Sequence, residues 1–542
     1  MPDFDYPTHR LGHKNGRGAV RTRLIDRPGP QSRHSSPWSS LDEREVERFR
    51  RFGWGPARAV PRLSIHEVIE GHAITTPSAI AARHAGDQIT YGELEKHANR
   101  LAVRLVRHGV RPGDHVALVV RRGIPMVVGI LAILKTGAAY LPQDAKIVRT
   151  PALRHILRTA RAKVVLTQSD APVDIPLGHV GIHIDAVMAE RHDIPGPRVD
   201  FEPGRACYVL FTSGTSGAPN GVEVTHANVA NLLLTEPGDL GIRPGTTVGQ
   251  ILNIAFDMAA WEILGCLTHG GTLLIRGDDI GEIARQANVL IATPTILSRI
   301  DPAACERIAT VAVAGEPCPR TLAERWGGRS TFYNGCGPTE TTIVNTMQRY
   351  RPGTGRLTIG RPTPNNTVYI LDEQRNPLPI GEIGEMWAGG NCVSAGYLAN
   401  PELNAERYAP DQFLGGGRKM FRTRDLGRWT DDGELEHFGR TDDQVKIRGF
   451  RVELDSVSAV LESVPGCVRA VTVKLDDRSL VSFVQPATVD ADLARKTVAE
   501  ALPYYCVPDT VHNIDALPLT SRGKIDKALL LRRALAEGGA ST

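Results

Sequence analysis

The chain has 542 residues, of which 41% are hydrophobic and 23% are charged, and its formal net charge is +4. This composition is typical of a globular protein, and the length predicts at least two domains because one hydrophobic core rarely serves more than about 300 residues. Residues 1–40 carry seven basic and three acidic side chains and so hold all of the net charge, which argues against nucleic acid as a main partner of the balanced remainder.

No segment predicts export or membrane insertion. The N-terminus lacks the apolar stretch of a signal peptide. The longest apolar run, Met126 to Leu134, is far shorter than the roughly 20 residues of a membrane helix and predicts a buried helix. The eight cysteines are scattered without a C-x-x-C pair, which argues against a zinc site or a disulfide framework. We therefore expect a cytoplasmic protein.

In chain order, residues 1–61 are predicted to be a basic, disordered leader followed by a linker. Residues 1–40 are rich in Arg, Pro, Ser, Gly and His and poor in aliphatic side chains, so they offer little to bury. This leader is either a basic arm for a partner or a solvated terminus. Within the linker, a charged helix is predicted from Ser40 to Gly53, and the folded part is predicted to begin near Arg62.

From residue 62 onward, short apolar runs alternate with helical patterns. Thr90 and Glu93 form a capping box at the start of one helix, which Gly109 ends. Strands are predicted at 116–120, 164–167, 208–211, 272–275, 289–293 and 310–315. This alternation predicts an α/β fold of layered sheets and helices with much parallel sheet. A composition shift near residue 440 separates a large N-terminal domain (62–440, the large domain) from a small α+β C-terminal domain (441–535, the small domain).

The most informative segment reads YVLFTSGTSGAPNGVEVTH and runs from Tyr208 to His226. A predicted strand leads into six small residues: Thr212, Ser213, Gly214, Thr215, Ser216 and Gly217. Glycines let the backbone approach a ligand closely, and successive N–H groups with Ser and Thr hydroxyls form an anion-binding nest. The segment lacks the Lys-Ser/Thr of a P-loop. It predicts a polyphosphate site, although a plain surface turn has the same composition.

This segment resembles the signature loop of the adenylate-forming superfamily, specifically of nonribosomal peptide synthetase adenylation domains. Further segments resemble the family's motifs in the same order: ITYGEL (89–94), LKTGAAYLP (134–142), FDMAAWE (256–262), NGCGPTETT (334–342), GEMWAGGNCVSAGYL (384–398), FRTRDLGRW (421–429), GRTDDQVKIRGFRVEL (439–454) and LPLTSRGKID (517–526). Together they cover almost the whole chain from residue 65 to 530. The resemblance implies an enzyme that uses ATP and Mg²⁺ to convert an amino acid's carboxylate into an aminoacyl adenylate.

The resemblance also implies roles for single residues. Thr212 to Gly217 would hold the β- and γ-phosphates, Thr339 would bond the α-phosphate, and Glu340 would ligate Mg²⁺, which prefers oxygen. Lys524 would enter from the small domain and bridge the substrate carboxylate and ATP. Asp442 matches the family's hinge, about which the small domain rotates between half-reactions. The other nucleotide-binding positions are Gly335, Cys336, Asp425 (on the ribose hydroxyls) and Arg440.

Asp257 matches the aspartate that pairs with a substrate's α-ammonium group, which favours an amino acid over an aryl or fatty acid. The alternative interpretation is a buried helix-cap residue. The family's side-chain pocket corresponds to Met258, Trp261, Ile291, Ala312, Ala314, Gly335, Ile343 and Val344. None of these is charged and several are small, so we expect a neutral, hydrophobic and large amino acid.

Four positions depart from the family's pattern. Asn220 stands where Lys is usual, Arg424 where Gly is usual, Arg522 where Asn is usual and Ala395 where Arg is usual. The cation lost at position 220 is expected to affect ATP affinity or loop closure. Because the implied catalytic residues are retained, we still expect activity.

No phosphopantetheine attachment motif follows Lys524, so we expect a stand-alone enzyme that passes the acyl group to the thiol of a separate carrier protein or to another acceptor. The resemblance also allows for a small MbtH-like activator and a role in making secondary metabolites such as antibiotics. Two alternatives stay open: an acyl- or aryl-CoA ligase of the same superfamily, and a non-catalytic carrier-binding protein. Coenzyme A-dependent turnover of an acid without an amine would favour the first, and carrier binding without pyrophosphate exchange the second.

Overall fold

The structure is a computed structural model that describes residues 37–171, 173–200, 202–212, 219–353, 356–442, 444–518 and 525–538. The strands are β1 (Ile80–His84), β2 (Asp87–Thr90), β3 (His115–Val120), β4 (Ala139–Asp144), β5 (Val164–Thr167), β6 (Val180–His183), β7 (Ala206–Thr212), β8 (Asn220–Thr225), β9 (Thr247–Gln250), β10 (Thr272–Ile275), β11 (Val289–Ala292), β12 (Thr310–Val313), β13 (Thr331–Cys336), β14 (Thr346–Tyr350), β15 (Arg361–Pro362), β16 (Asn366–Leu371), β17 (Gly384–Gly390), β18 (Gly396–Tyr397), β19 (Tyr408–Pro410), β20 (Lys419–Trp429), β21 (Leu435–Arg440), β22 (Gln444–Ile447), β23 (Phe450–Glu453), β24 (Arg469–Lys474), β25 (Leu480–Gln485) and β26 (Thr510–Asn513). The helices are α1 (Glu43–Gly53), α2 (Ile65–Thr75), α3 (Tyr91–Arg107), α4 (Ile124–Lys135), α5 (Thr150–Thr159), α6 (Ile184–Met188), α7 (His226–Leu233), α8 (Asp257–Thr268), α9 (Ile280–Gln286), α10 (Pro294–Leu297), α11 (Arg320–Gly327), α12 (Pro401–Arg407), α13 (Leu454–Glu462), α14 (Ala491–Ala501) and α15 (Lys527–Gly538). The mixed α/β architecture predicted from the sequence is confirmed.

Within the described residues, the largest sheet has nine strands in the order β15-β14-β13-β12-β11-β9-β10-β1-β2. Its strands from β13 to β1 run parallel, whereas β14, β15 and β2 are antiparallel at the edges. Because the carboxyl ends of parallel strands meet at one edge of a sheet, the segments that follow β9, β12 and β13 lie close together there.

The second sheet of the large domain has the order β18-β8-β7-β4-β3-β5-β6. Its strands from β7 to β6 are parallel, and β8 pairs antiparallel with β7. β7 and β8 flank the glycine-rich segment, of which residues 213–218 lie outside the described part of the chain.

The strand and helix predictions hold for the large domain. The six predicted apolar runs are β3, β5, β7, β10, β11 and β12. The capping box at the start of α3 is confirmed, since Thr90 Oγ1 accepts a hydrogen bond from the Glu93 backbone N–H at 3.2 Å. Helix α4 is buried along its whole length, as its apolar sequence predicts. No described helix combines the length and apolar character that a membrane span requires.

Helix α1 is confirmed and is part of the large domain's packing. Asp42 caps it by accepting a hydrogen bond from the Glu45 backbone N–H at 2.8 Å. Phe49 is fully buried and stacks on Tyr369 of the antiparallel sheet β16-β17-β20-β19, with 6.1 Å between the ring centroids. The later part of the predicted linker is therefore fixed to this sheet, while residues 1–36 lie outside the described residues.

The small domain consists of the hairpin β22–β23, the sheet β24-β25-β26 and helices α13 to α15. Two clusters of buried hydrophobic side chains form its core among the described residues, and neither contains a residue before position 445. Arg448 and Gly449 connect β22 and β23 with φ angles of 53° and 84°. Two positive φ values are those of a type I′ turn, which joins strands tightly.

Candidate active site

The described residues enclose one large cavity, of about 1680 Å³, between the strand ends of the large domain and the small domain. Thr212 ends β7, Ala314 follows β12 and Gly335 lies near the end of β13, and all three face it. Lys446 and Arg451 face it from the small domain. Ligands of open α/β sheets bind at the carboxyl ends of parallel strands. This cavity is therefore the candidate active site.

Most of the predicted site residues that lie in the described part of the chain line this cavity. They are Thr212, Asp257, Met258, Ala314, Gly335, Cys336, Thr339, Ile343, Asp425, Arg440 and Asp442. Their sequence positions span more than 200 residues, so the fold brings together side chains that no local pattern could connect. The predictions for Ser213, Gly214, Thr215, Ser216, Gly217 and Lys524 fall outside the described residues.

Four predicted pocket residues lie behind the cavity wall. Trp261, Ile291, Ala312 and Val344 are buried, and none of them is among the described residues that line the cavity. The Trp261 indole N–H donates to the Gly238 carbonyl at 2.7 Å. A Cβ at Gly335 would lie 2.9 Å from Cγ1 of Val344, so Val344 supports the wall from behind. In this structure these four residues shape the cavity through the residues in front of them.

Asp257 is the first residue of α8 and faces the cavity. The N-cap is Phe256, so Asp257 is not the capping residue that the sequence left as an alternative. Burial raises the pKa of the Asp257 carboxyl, and the positive charge of Lys446 and a hydrogen bond from Thr339 oppose that rise. Burial is the larger effect and the net pKa is raised, so Asp257 takes up a proton more readily than an exposed aspartate, while Lys446 and Thr339 favour its charged form.

Glu340 is fully buried in the single turn Thr339–Thr341. The Arg451 guanidinium donates from Nη1 to both carboxylate oxygens, at 2.9 and 3.0 Å, and the Tyr397 hydroxyl donates to Oε1 at 2.6 Å. Burial raises the pKa of Glu340, but the charges of Arg451 and Arg407 and the hydrogen bond from Tyr397 together outweigh burial, and the net pKa is lower than usual. Arg451 therefore neutralises Glu340 in this arrangement of the two domains.

Glu340 is the residue to which the resemblance assigns Mg²⁺. Mg²⁺ usually takes one or two protein carboxylates together with substrate phosphates and water. No group of three or more potential ligand side chains exists among the described residues, so one carboxylate plus phosphates is the arrangement the chain can offer. Glu340 fits that role once Arg451 has moved away, because both of its oxygens are now bonded to Arg451.

The predicted ribose and hinge residues form one charged network. Arg440 donates from Nη1 to Asp425 at 2.6 Å, and from Nε and Nη2 to the two oxygens of Asp442 at 2.8 and 3.0 Å. His437 Nε2 lies 3.4 Å from Asp425. Burial raises the pKa of Asp425, but His437 and Arg440 outweigh it and the net pKa is lowered. Asp425 is therefore an ionised acceptor at the cavity wall.

The hairpin β22–β23 is the part of the site that sequence reasoning missed. Lys446 and Arg451 are cross-strand partners, so their side chains emerge on the same face of the hairpin and both reach the cavity. Phe450 packs edge-on against Phe256 of the large domain, with 4.5 Å between ring centroids. The sequence signal for this hairpin is the basic run VKIRGFR beside the predicted hinge.

Three of the four departures from the family pattern lie in the described residues. Arg424 has a φ of 63° and pairs with Glu406 and Asp442. Asn220 accepts a hydrogen bond from Asn400 Nδ2 at 3.0 Å. Ala395 donates its backbone N–H to the Glu223 carbonyl at 2.9 Å, which any side chain would allow. Arg522 lies outside the described residues.

Comparison with known proteins agrees with this geometry. A family model described as AMP-binding enzyme matches residues 69–398, which include both parallel sheets and most of the large-domain wall of the cavity. The chain belongs to the AMP-binding enzyme family. It is therefore an adenylate-forming enzyme, and the resemblance read from its motifs is confirmed.

Among AMP-binding enzymes, the chain is 43% identical to adenylate-forming reductase 06235 of Coprinopsis cinerea over 92% of this chain and 49% of that protein. It thus spans about half the length of the curated relatives that it matches first. Its fold is similar to that of holo-PA1221, a nonribosomal peptide synthetase protein with adenylation and carrier (PCP) domains, with a TM-score of 0.79, 23% identity and coverage of 91% of this chain and 86% of that chain.

A second solved structure is the four-domain nonribosomal peptide synthetase holo-AB3403 bound to AMP and glycine. The TM-score is 0.65 at 28% identity, and the match covers 89% of this chain and 37% of that one. AMP-binding adenylation domains use ATP with Mg²⁺, so these cofactors, predicted from the sequence, are confirmed.

Proposed function

We propose that this enzyme adenylates a neutral, hydrophobic and large amino acid and passes the aminoacyl group to a carrier-protein thiol or another acceptor. The observation that carries the proposal is Asp257, whose carboxylate faces the cavity close to Thr339. A carboxylate removed from water needs a cationic partner. The α-ammonium group of an amino acid supplies that charge, whereas an aryl or fatty acid has none to offer.

The preference for an uncharged side chain rests on the predicted pocket residues that face the cavity. Met258, Ala314, Gly335 and Ile343 carry no charge and no side-chain hydrogen-bond donor. A charged substrate side chain placed against them would lose its hydration without gaining a partner. The small side chain of Ala314 leaves volume that a large apolar side chain would fill.

In the proposed reaction, an oxygen of the substrate carboxylate attacks the α-phosphorus of ATP, and the bond to the β-phosphate bridging oxygen breaks to release pyrophosphate. Two anions must approach, so the site has to supply opposite charge and hold the reactants in line. Thr339 would donate its hydroxyl to the α-phosphate, and Asp425 would accept the ribose hydroxyls. Glu340 would hold Mg²⁺, which neutralises phosphate charge. Lys524 would bridge the carboxylate and ATP.

The arrangement of the two domains bears on when this step can occur. Arg451 bonds both oxygens of Glu340, the proposed metal ligand, and Lys446 faces Asp257, the proposed ammonium ligand. Adenylation then requires that hairpin β22–β23 withdraw from the cavity, by rotation about Asp442. The present arrangement suits a later step, in which the adenylate has formed and pyrophosphate has left.

ATP–pyrophosphate exchange over a panel of proteinogenic and unusual amino acids tests the proposal. We expect exchange with neutral, large, hydrophobic amino acids and at least tenfold less with Lys, Arg, Asp or Glu. The Lys524→Ala variant is the control, because loss of a reacting-site cation should remove nearly all exchange. A strong preference for a charged amino acid would refute the proposed pocket, and exchange that persists in Lys524→Ala would refute the proposed catalytic lysine.

A second candidate concerns the fate of the adenylate. The 43% identity to a protein named adenylate-forming reductase favours a chain that activates an acid for reduction. In that case the adenylation step is the same, but the acyl group goes on to a reducing domain. Incubation with the acid, ATP, NADPH and a carrier protein that bears a free phosphopantetheine thiol, with a reductase partner present and absent, separates the two fates. Release of an aldehyde or alcohol would support reduction, and a stable aminoacyl carrier would support peptide synthesis.

A further inference from the structure

Arg424 has a backbone conformation that its side chain disfavours. Its φ is 63°, in the left-handed region that glycine adopts freely and residues with a Cβ seldom do. It lies in β20 directly before Asp425, a cavity residue. An unfavourable backbone conformation that persists in a folded protein must be stabilised by its surroundings. The contacts of the Arg424 side chain are the interactions that can offset it.

The Arg424 side chain joins two acids from different parts of the chain. One guanidinium nitrogen pairs with Glu406 on helix α12 of the large domain, and Nη1 lies 3.4 Å from Oδ2 of Asp442. Asp442 also accepts two hydrogen bonds from Arg440. Its pKa is lowered, since these two arginines outweigh the effect of burial. Glu406, Arg424 and Asp442 form a group that we call the hinge clamp.

The backbone at the same place reinforces the clamp. The Arg424 carbonyl accepts from the Thr441 backbone N–H at 2.8 Å and from the Thr441 hydroxyl at 3.2 Å. The chain crosses from the large domain to the small domain through this short segment, between the end of β21 and the start of β22. The clamp therefore fixes the crossing segment to β20 and α12 at the residue about which rotation would occur.

We propose that Arg424 is a positioning residue that holds the small domain in the arrangement in which hairpin β22–β23 fills the cavity mouth. This inference rests on the proposed function, because it takes Asp442 as the pivot of the rotation. The clamp acts through Asp442 and not on the substrates. It favours the arrangement in which Arg451 covers Glu340, and it therefore slows the return to the arrangement needed for adenylation.

A disulfide reporter across the domain boundary measures the arrangement directly. Phe256 and Phe450 pack against each other from the two domains, so a Phe256→Cys/Phe450→Cys pair can be oxidised only while the hairpin is docked. The rate of cross-linking, followed by mass spectrometry of the linked peptides, reports the docked population. Each single cysteine variant identifies links to the eight native cysteines.

The Arg424→Gly change in this reporter background is expected to lower the cross-linking rate about fivefold, because partly exposed ion pairs each contribute a factor of about two to five. Glu406→Gln should lower it less, and Arg424→Lys should keep part of the effect because it retains the charge. The control is Arg161→Gly, which makes the same substitution at an exposed residue with a φ of 51° after α5. It should leave the rate unchanged.

If Arg424 only stabilised the fold, Arg424→Gly would lower the melting temperature together with the cross-linking rate. Glycine relieves the left-handed backbone at position 424, so we expect the melting temperature of Arg424→Gly to be unchanged or raised while cross-linking falls. Pyrophosphate exchange by the same variant, without the cysteines, should rise. Cross-linking at the parental rate in Arg424→Gly would overturn the proposal. Failure of the proposed function looks different: no amino acid would support exchange by the parent, while cross-linking would still respond to Arg424→Gly.

Discussion

Where hairpin β22–β23 meets the large domain, the two sides of the cavity carry opposite charges. The large-domain wall presents the acids Asp257 and Asp425 and the buried Glu340, whereas the small-domain hairpin presents the cations Lys446 and Arg451. In this arrangement Arg451 neutralises Glu340, which the proposed reaction assigns to a metal, and the charge of Lys446 acts on Asp257, which that reaction assigns to an ammonium group. The small domain therefore competes with substrates for the same charges. Substrate binding and domain position should therefore be coupled.

Removing the carboxylate that faces the cavity should have the largest effect. Asp257→Asn leaves the size of the side chain but takes away the charge that, in our proposal, pairs with the substrate's ammonium group. A lost charge-assisted contact of about 3 kcal/mol corresponds to a decrease of about 100-fold in kcat/KM for the amino acid in pyrophosphate exchange. Asp278→Asn, at the exposed cavity mouth, is the matched control and should change kcat/KM less than twofold. An Asp257→Asn enzyme with parental kcat/KM would show that Asp257 takes no part in substrate recognition.

The second effect concerns Glu340, whose carboxylate oxygens would bind either the metal or Arg451. Glu340→Gln should raise the Mg²⁺ concentration for half-maximal exchange by about tenfold, since a neutral amide is a weaker ligand for a hard cation. It should also slow disulfide formation between cysteines at positions 256 and 450, because Arg451 loses its charged partner. Glu324→Gln, an ion-paired acid on α11, serves as the control. An unchanged Mg²⁺ dependence would show that Glu340 is not a ligand of the metal.

A smaller effect is expected from ligands alone, without mutation. ATP with Mg²⁺ should slow the same disulfide reaction severalfold, because the metal and Arg451 cannot both bond the Glu340 oxygens. ATP with EDTA should slow it less. If ATP with Mg²⁺ accelerates the reaction, hairpin docking and metal binding are compatible, and the competition inferred from the comparison is wrong.

The smallest effect is a pH dependence. Burial raises the pKa of Asp257 above that of an ordinary aspartate. Since the amino acid needs the ionised carboxylate, kcat/KM should fall as pH decreases through this raised pKa, at a higher pH than for an exposed aspartate. The same shift predicts that unliganded stability decreases as pH rises through that window, because the folded state binds the proton more tightly than the unfolded state. The acid limb of the kcat/KM profile should be absent in Asp257→Asn.

The sequence predicted the large domain better than the small-domain contacts. The apolar runs of β3, β5 and β7 are long enough to identify buried strands, and residues that follow parallel strands must meet at one edge. The role of Arg451 could not be found in this way, since its contact with Glu340 joins positions 111 residues apart through the docking of two domains. The departure at Arg424 was visible in the sequence, but its partners Glu406 and Asp442 were not.

The packing of residues behind the pocket also lay beyond sequence reasoning. Motif matching assigns Trp261 and Ile291 to the pocket, but whether a side chain reaches the cavity depends on the volumes in front of it. Ile291 is fully buried in β11, and the Trp261 indole bonds the Gly238 carbonyl. Such differences are decided by close packing over the whole core and not by any local pattern.

In the proposed function, the charge of Asp257 selects an amino acid. The most direct measurement compares pyrophosphate exchange for the best amino acid of the panel with exchange for the same acid lacking its α-amino group, in the parent and in Asp257→Asn. We expect the parent to prefer the amino acid by about 100-fold and Asp257→Asn to lose most of this preference. Equal exchange with the two acids in the parent would contradict it and would favour an acyl- or aryl-CoA ligase.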